Sequence, residues 1–426
     1  MKQISKLEVP YICEGKKAMV GALVEITAPT VDTKTRKRQQ QAVVFVIDRS
    51  GSMGGRPLEI VKNTINEIIG KLDPTDLVSV ISFDTQVENH VPLVQLGQMS
   101  LQGIRQSVNE IEARGGTDIS LGYEAGLNEA SKSPEAVESR VILLSDGHAN
   151  RGVIDPSSFA KTAATATEHL IKTSTIGIGE SYDEKILDRM AQGGDGNHFA
   201  AFAVEEAVTG LNDEIDGLLS RSLSEVQIEI FLPEIEGLEI QPLGYTRSIK
   251  RTVRGMVVTY GEMASNETRG FAFVMTVPKL NKRDKKKIEV SFKSKALDVE
   301  SDEHLRALSR QELEIVEAAN YRTPVRDENV AAEVMAFKLA DLKKQAADAA
   351  WSGDLEKARE IIRGGQTEVE AIAKNLDKLS PRLKAKILEE RSELAQFMTY
   401  REAELSKRAT ESSYRSARSK TDPRRN

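Results

Sequence analysis

The chain has a single cysteine, Cys13, among 426 residues. One thiol cannot build an internal disulfide framework, and such sparing use fits a reducing compartment, so a cytoplasmic protein is expected. Long apolar runs are missing too. No stretch approaches the ~20 consecutive apolar residues of a membrane span, and the opening MKQISKLEVPYICEGKKAMV lacks the continuous apolar segment of a signal peptide. There is no basic excess: 59 Lys and Arg stand against 65 Asp and Glu, a net charge of −6. Bulk charge therefore implies no nucleic-acid partner. The histidines (His90, His148, His169, His198 and His304) show no zinc spacing. GKKA near Lys16 lacks the spacing of a phosphate-binding loop, and Gly177-x-Gly179 is an isolated pair. What is left, 39% apolar and 29% charged, is an ordinary globular composition over a length suited to two or three domains.

The most informative stretch is AVVFVIDRSGSMGG, Ala42 to Gly55. Val43 to Ile47 form a short continuous apolar run that ends at Asp48, the pattern of a strand buried on both faces in a parallel sheet. Downstream, Ile60, Ile65, Ile68, Ile69 and Leu72 recur at helical spacing, with Pro57 suited to a first turn. Asp48, Ser50 and Ser52 thus fall between the carboxyl end of a strand and the amino end of a helix, the edge at which open α/β sheets bind ligands. A carboxylate and two hydroxyls on alternate residues of a tight loop can converge on one point. All are hard oxygen donors, suited to Mg²⁺ or Mn²⁺ rather than to zinc or copper. Taken alone, the same residues describe equally well a Ser/Gly loop in which Asp48 caps a helix.

Two further stretches have the same character. ARGGTDISLGYEAGL places Thr117 after a glycine pair and before an amphipathic helix. RVILLSDGHANRG carries a second apolar run, Val141 to Leu144, into Ser145, Asp146 and Gly147. D-x-S-x-S, an isolated Thr and strand-S-D-G, in that order, resemble the von Willebrand factor type A domain, in an intracellular, prokaryote-like form. GIGESYDEKILDRMAQGGDGNHF resembles that family's late strand-helix-strand segment. The resemblance implies a complete metal-ion-dependent adhesion site at Asp48, Ser50, Ser52, Thr117 and Asp146. In the family the hydroxyls commonly bind the metal directly and the aspartates largely through water.

From Ala42 to about Ser220 strands and helices alternate with short connections. This predicts a doubly wound, Rossmann-like sheet, parallel except for an edge strand in ENHVPLVQL. Five segments are expected. Residues 1–40 hold strands, among them AMVGALVEITAP with Val20, Ala22, Val24 and Ile26 alternating, followed by a basic connector, TVDTKTRKRQQQ, that is expected to be a solvated linker. Residues 41–220 are the α/β domain. Residues 221–300 carry short β runs without helices and read as an antiparallel β-sandwich, with KLNKRDKKK as a basic hairpin tip. The strands before Asp48 lack partners in the α/β domain and are expected to join this sandwich. From Asp302 the apolar period reads as 3.6, so residues 301–410 are expected to be helical, EHLRALSRQELEIVEAANY included, with Gly364-Gly365 as a helix stop. Residues 411–426 are polar and basic and are expected to be disordered.

No enzyme is expected. A haloacid-dehalogenase-like phosphatase needs a second aspartate two residues after the first, and Ser50 stands there. Ser50 and Ser52 have no base placed by sequence, and His148 reads as an ordinary loop residue. The expectation is a protein-interaction module whose Mg²⁺ (or Mn²⁺) keeps an open position for an Asp or Glu carboxylate of a partner protein. Two alternatives are a regulatory or substrate-recruiting subunit of an AAA+ ATPase machine, by analogy with relatives beside such ATPases, and a scaffold in which the metal only stiffens the loops.

Overall fold

A computed structural model describes the chain except for residues 32–39, 150, 180–181, 202, 245, 247, 284–285, 401 and 419–426. Most of the expected basic connector thus lies outside the described residues. The chain divides into two compact units, one made of Met1–Arg36 with Ser220–Asn426 and the other of Lys37–Leu219.

In chain order, β1 (Lys2–Leu7), β2 (Tyr11–Cys13) and β3 (Ala18–Thr27) precede the α/β unit. That unit runs β4 (Ala42–Asp48), α1 (Arg56–Ile69), β5 (Leu77–Phe83), β6 (Val87–Gln95), α2 (Leu101–Asn109), α3 (Ile119–Ala130), β7 (Ser139–Ser145), α4 (Pro156–Thr167), β8 (Ile171–Ile178), α5 (Glu184–Gly193), β9 (Asp195–Ala201) and α6 (Val204–Leu219). Its sheet has the order β6-β5-β4-β7-β8-β9, and β5/β6 is the antiparallel pair. The alternation of side chains along β4 explains its unbroken apolar run. Val43, Phe45 and Ile47 pack with residues of α1, α2 and α6, whereas Val44 and Val46 pack with residues of α3, α4 and α5. Both faces are covered, as the doubly wound expectation requires. Because β4 lies between β5 and β7, the chain leaves it in one direction and returns on its other side. This creates a switch point at the carboxyl ends of β4 and β7.

The other unit continues with β10 (Arg221–Phe231), β11 (Glu239–Pro242), β12 (Ser248–Thr252), β13 (Gly255–Ala264), β14 (Thr268–Val277), β15 (Lys287–Asp298), β16 (His304–Val316), α7 (Glu328–Trp351), α8 (Leu355–Ala373), α9 (Pro381–Phe397) and α10 (Glu402–Arg418). Two sheets, β1-β3-β14-β11 and β12-β13-β10-β15-β16-β2, share one core. The strands that precede Asp48 are integral to it. β3 pairs with β14 from Thr27↔Thr268 to Ala18↔Val277, and β2 runs parallel to β16. Val330, Val334 and Phe337 of α7 pack against Leu23, Ala272 and Val274, covering the outer face of the first sheet.

Four sequence expectations give way here. His304–Val316 is a strand, not a helix, so the β region passes residue 300 and the helices start at Glu328. Leu305, Ala307, Ser309, Gln311, Leu313 and Ile315 form its less exposed face, and it pairs with β15 from Leu297↔His304 to Lys287↔Glu314. Cross-strand pairing overrides a helix-favouring composition. KLNKRDKKK closes no hairpin, since β14 and β15 belong to different sheets and the segment passes from one to the other. Gly364 and Gly365 lie inside α8, where the missing side chain of Gly365 leaves room for Leu339 and Leu394. Finally, α10 continues to Arg418, so residues 411–418 are helical, with Ser412 and Ser413 buried. The reason lies in α7. The fully buried Lys343 ammonium meets Glu390 at 2.5 Å, Glu393 at 2.7 Å and Ser412 Oγ at 2.5 Å, which gives a polar tail segment a buried partner.

Candidate metal centre

The loop that carries Ser50 and Ser52 is shaped by its glycines and by the strand it leaves. Asp48 ends β4; Ser50 follows, and Gly51–Met53 form a single 3₁₀ turn whose Met53 is anchored in the core. Gly55 has φ +80°, a left-handed conformation suited to glycine, and α1 starts beside it with a proline in its first turn. Asp48 is wholly buried. Its Oδ1 accepts the Ser50 N–H at 2.8 Å, and its Oδ2 accepts the Ser145 hydroxyl at 2.6 Å.

Asp146, just beyond β7, faces this loop. Ser52 Oγ donates to its Oδ1 at 2.8 Å, Ser50 Oγ lies 3.5 Å from the same oxygen, and the two serine hydroxyls are 3.1 Å apart. Thr117 enters from a third loop, ahead of α3. It is buried, and its hydroxyl packs so closely on Gly147 that a Cβ there would lie 2.7 Å from Thr117 Oγ1. Asp48, Ser50, Ser52 and Asp146 therefore form one hydrogen-bonded cluster, and Thr117 sits against the residue that follows Asp146. His148 is exposed.

Electrostatics favour a cation in this cluster. Burial pushes the Asp48 carboxyl up to about 6, against the hydrogen bonds of Ser145 and Ser50 that favour its charge. Burial also raises Asp146, opposed by the hydroxyls of Ser52 and Ser50. Two desolvated carboxylates are costly as a bare pair, and a divalent ion offsets that cost. Among the described residues no group of three or more His, Cys, Asp or Glu could hold a metal. The donors here are two carboxylates and three hydroxyls, all hard oxygen, which fit Mg²⁺ or Mn²⁺.

Residues beyond the five expected positions support the cluster. Ser145 orients Asp48. Asp84, directly after β5, accepts Arg49 Nε at 2.9 Å and Arg114 Nε at 3.0 Å on the same oxygen. Burial opposes its charge, but Arg114, the Gln86 N–H and Arg49 outweigh burial and hold its pKa below the usual carboxylate range. The sequence holds only a partial signal: Asp84 directly follows an apolar run, but that its strand lies next to β4 is decided by the packing of the sheet.

Residues 42–214 match the family model described as von Willebrand factor type A domain. Over 153 residues the chain is 32% identical to an uncharacterised protein of Synechocystis sp., the match covering 36% of each chain. Over 156 residues it is 33% identical to inter-alpha-trypsin inhibitor heavy chain H3 of Homo sapiens, covering 35% of this chain and 18% of that one. The chain thus spans well under half the length of these curated relatives. A solved structure described as von Willebrand factor type A from Catenulispora acidiphila superposes with a TM-score of 0.69 at 15% identity, covering 98% of this chain and 96% of that one, a likeness of fold. No described helix is long and apolar enough to cross a membrane. With β4, β7 and the loop of Thr117 arranged as above, residues 42–214 are a von Willebrand factor type A domain.

Proposed function

We propose that this domain is a metal-dependent protein-interaction module, with Asp48, Ser50, Ser52, Thr117 and Asp146 as a complete metal-ion-dependent adhesion site. The observation that carries the reading is convergence. Donors from two separate loops meet at the switch point of the sheet, with Ser52 Oγ 2.8 Å from Asp146 Oδ1, and Thr117 from a third loop sits against Gly147, the residue after Asp146. Ser50, Ser52 and Thr117 are suited to hold Mg²⁺ or Mn²⁺ directly, and Asp48 and Asp146 supply the negative charge around it. The bound ion would supply positive charge for a partner's Asp or Glu carboxylate. Ser52 is exposed while Asp48 and Ser50 are buried, so the cluster opens to one side. Ser50 and Ser52 hydrogen-bond to each other and to Asp146, a cluster of hard oxygen donors suited to ligation, and a non-catalytic role is part of this proposal. The lone, buried Cys13 supports a cytoplasmic setting.

Calorimetric titration of Mn²⁺ tests the metal site. One site in the wild type, lost in Asp146→Ala, is expected; equal binding in both would sink the assignment. With Mn²⁺ present, a short peptide with a single Asp should bind more tightly than its Asn counterpart, and EDTA should abolish the difference.

A further inference from the structure

The loops that carry Ser50 and Thr117 are both tied to one residue outside the three motifs. Arg49 stands between two ligand positions, yet its side chain is buried and reaches Asp84, with Nε 2.9 Å from Oδ2. Arg114, at the start of the Thr117 loop, donates its Nε to the same oxygen at 3.0 Å. Glu88 Oε2 backs both guanidiniums, at 2.5 Å from Arg49 Nη1 and 3.5 Å from Arg114 Nη2.

The backbone repeats the link. The Arg114 N–H donates to the Arg49 carbonyl at 2.7 Å, and the Asp118 N–H donates to the Asp84 carbonyl at 3.0 Å. Both ends of the segment that contains Thr117 are thus fastened to Asp84 or to its partner Arg49. Between them Gly115 has φ +72°, and a Cβ on it would lie 3.1 Å from Asp84 Cβ. The loop crosses Asp84 with little room to shift. A buried carboxylate bridging two guanidiniums is a rigid joint, because loss of its charge removes the main anionic partner of the buried Arg49 and releases the half-exposed Arg114 from it.

We infer that Asp84 is a positioning residue for the metal site: by holding Arg49 and Arg114 on one oxygen, it fixes Thr117 relative to Asp48, Ser50 and Ser52. The inference rests on the metal-site reading and deepens it. Outer residues that orient ligands commonly tune metal affinity by roughly 10- to 100-fold.

The test is a double-mutant cycle on the full chain, with Mn²⁺ as the probe and calorimetry as the readout. Asp84→Asn is expected to weaken Mn²⁺ binding roughly 10- to 100-fold. In a Thr117→Ala background the same substitution should cost little more, because Asp84 acts through Thr117. A residue that only supports the fold would give independent losses in both backgrounds, and that result overturns the inference. Unchanged affinity in Asp84→Asn overturns it too while leaving the metal site standing. No Mn²⁺ binding in the wild type removes both. Should Asp84→Asn fail to fold, Arg114→Gln, which removes only the half-exposed arm of the joint, goes through the same cycle under the same criteria.

Discussion

Asp48→Asn is expected to stabilise the metal-free protein, although it removes a carboxylate of the proposed metal site. The structure gives the size of the effect. Burial displaces the Asp48 carboxyl from 3.8 to about 6, and each unit is about 1.36 kcal/mol. The charged form therefore costs the folded state about 3 kcal/mol at neutral pH, as an upper bound. The sign follows from linkage. The folded-state pKa is raised, so the unfolded chain ionises first as pH climbs from about 4, and stability falls until the folded carboxyl ionises near 6. Asparagine imitates the protonated acid. Its oxygen can still accept the Ser50 N–H, but its amide meets the Ser145 hydroxyl until that hydroxyl turns, which takes back about 1 kcal/mol. A net gain of about 2 kcal/mol should raise the melting temperature by roughly 4–8 °C for a unit of this size. Scanning calorimetry in EDTA at pH 7.5 and pH 4 is the assay, and the gap should shrink at the lower pH. Adding Mg²⁺ should reverse the order, since only the wild type gains binding energy. A variant less stable than wild type in EDTA at pH 7.5, or an equal gap at both pH values, would refute the electrostatic account.

Other consequences can be checked as directly. Gly122→Ala would place a Cβ 2.4 Å from the Phe83 ring and should destabilise the α/β unit by about 1–3 kcal/mol in chemical denaturation. Buried Glu214 is held below its usual pKa: burial opposes its charge, but Arg140, Ser174 and Asn197 outweigh it. It therefore contributes stability above its unfolded pKa that is lost as pH falls below about 4.5, and Glu214→Gln should flatten that acid limb. Lys343→Met leaves Glu390 and Glu393 without their buried cation and should cost about 3 kcal/mol or more, with earlier proteolysis within α10. Deleting residues 1–30 removes β3 from its full pairing with β14, so the shortened chain should aggregate through that bare edge, as light scattering would show.

Sequence alone determined the part of this protein in which local pattern and final environment agree. The apolar runs Val43–Ile47 and Val141–Leu144 can be satisfied only by strands covered on both faces, and the structure covers them so. The polar residues at their ends, Asp48 and Asp146, were readable as candidate ligands because strand ends at a sheet edge leave side chains free to converge. Tertiary structure decided the rest. The composition of His304–Val316 suits a helix, and only the neighbouring β15 makes it a strand, since ladder hydrogen bonds depend on a partner distant in sequence. Residues 411–418 look like a solvated tail, and α10 reaches Arg418 with Ser412 on the buried Lys343, another long-range contact. Asp84 carries no motif of its own. It joins the loops of Ser50 and Thr117 because β5 lies beside β4, and strand adjacency is set by the packing of the whole sheet rather than by any local spacing.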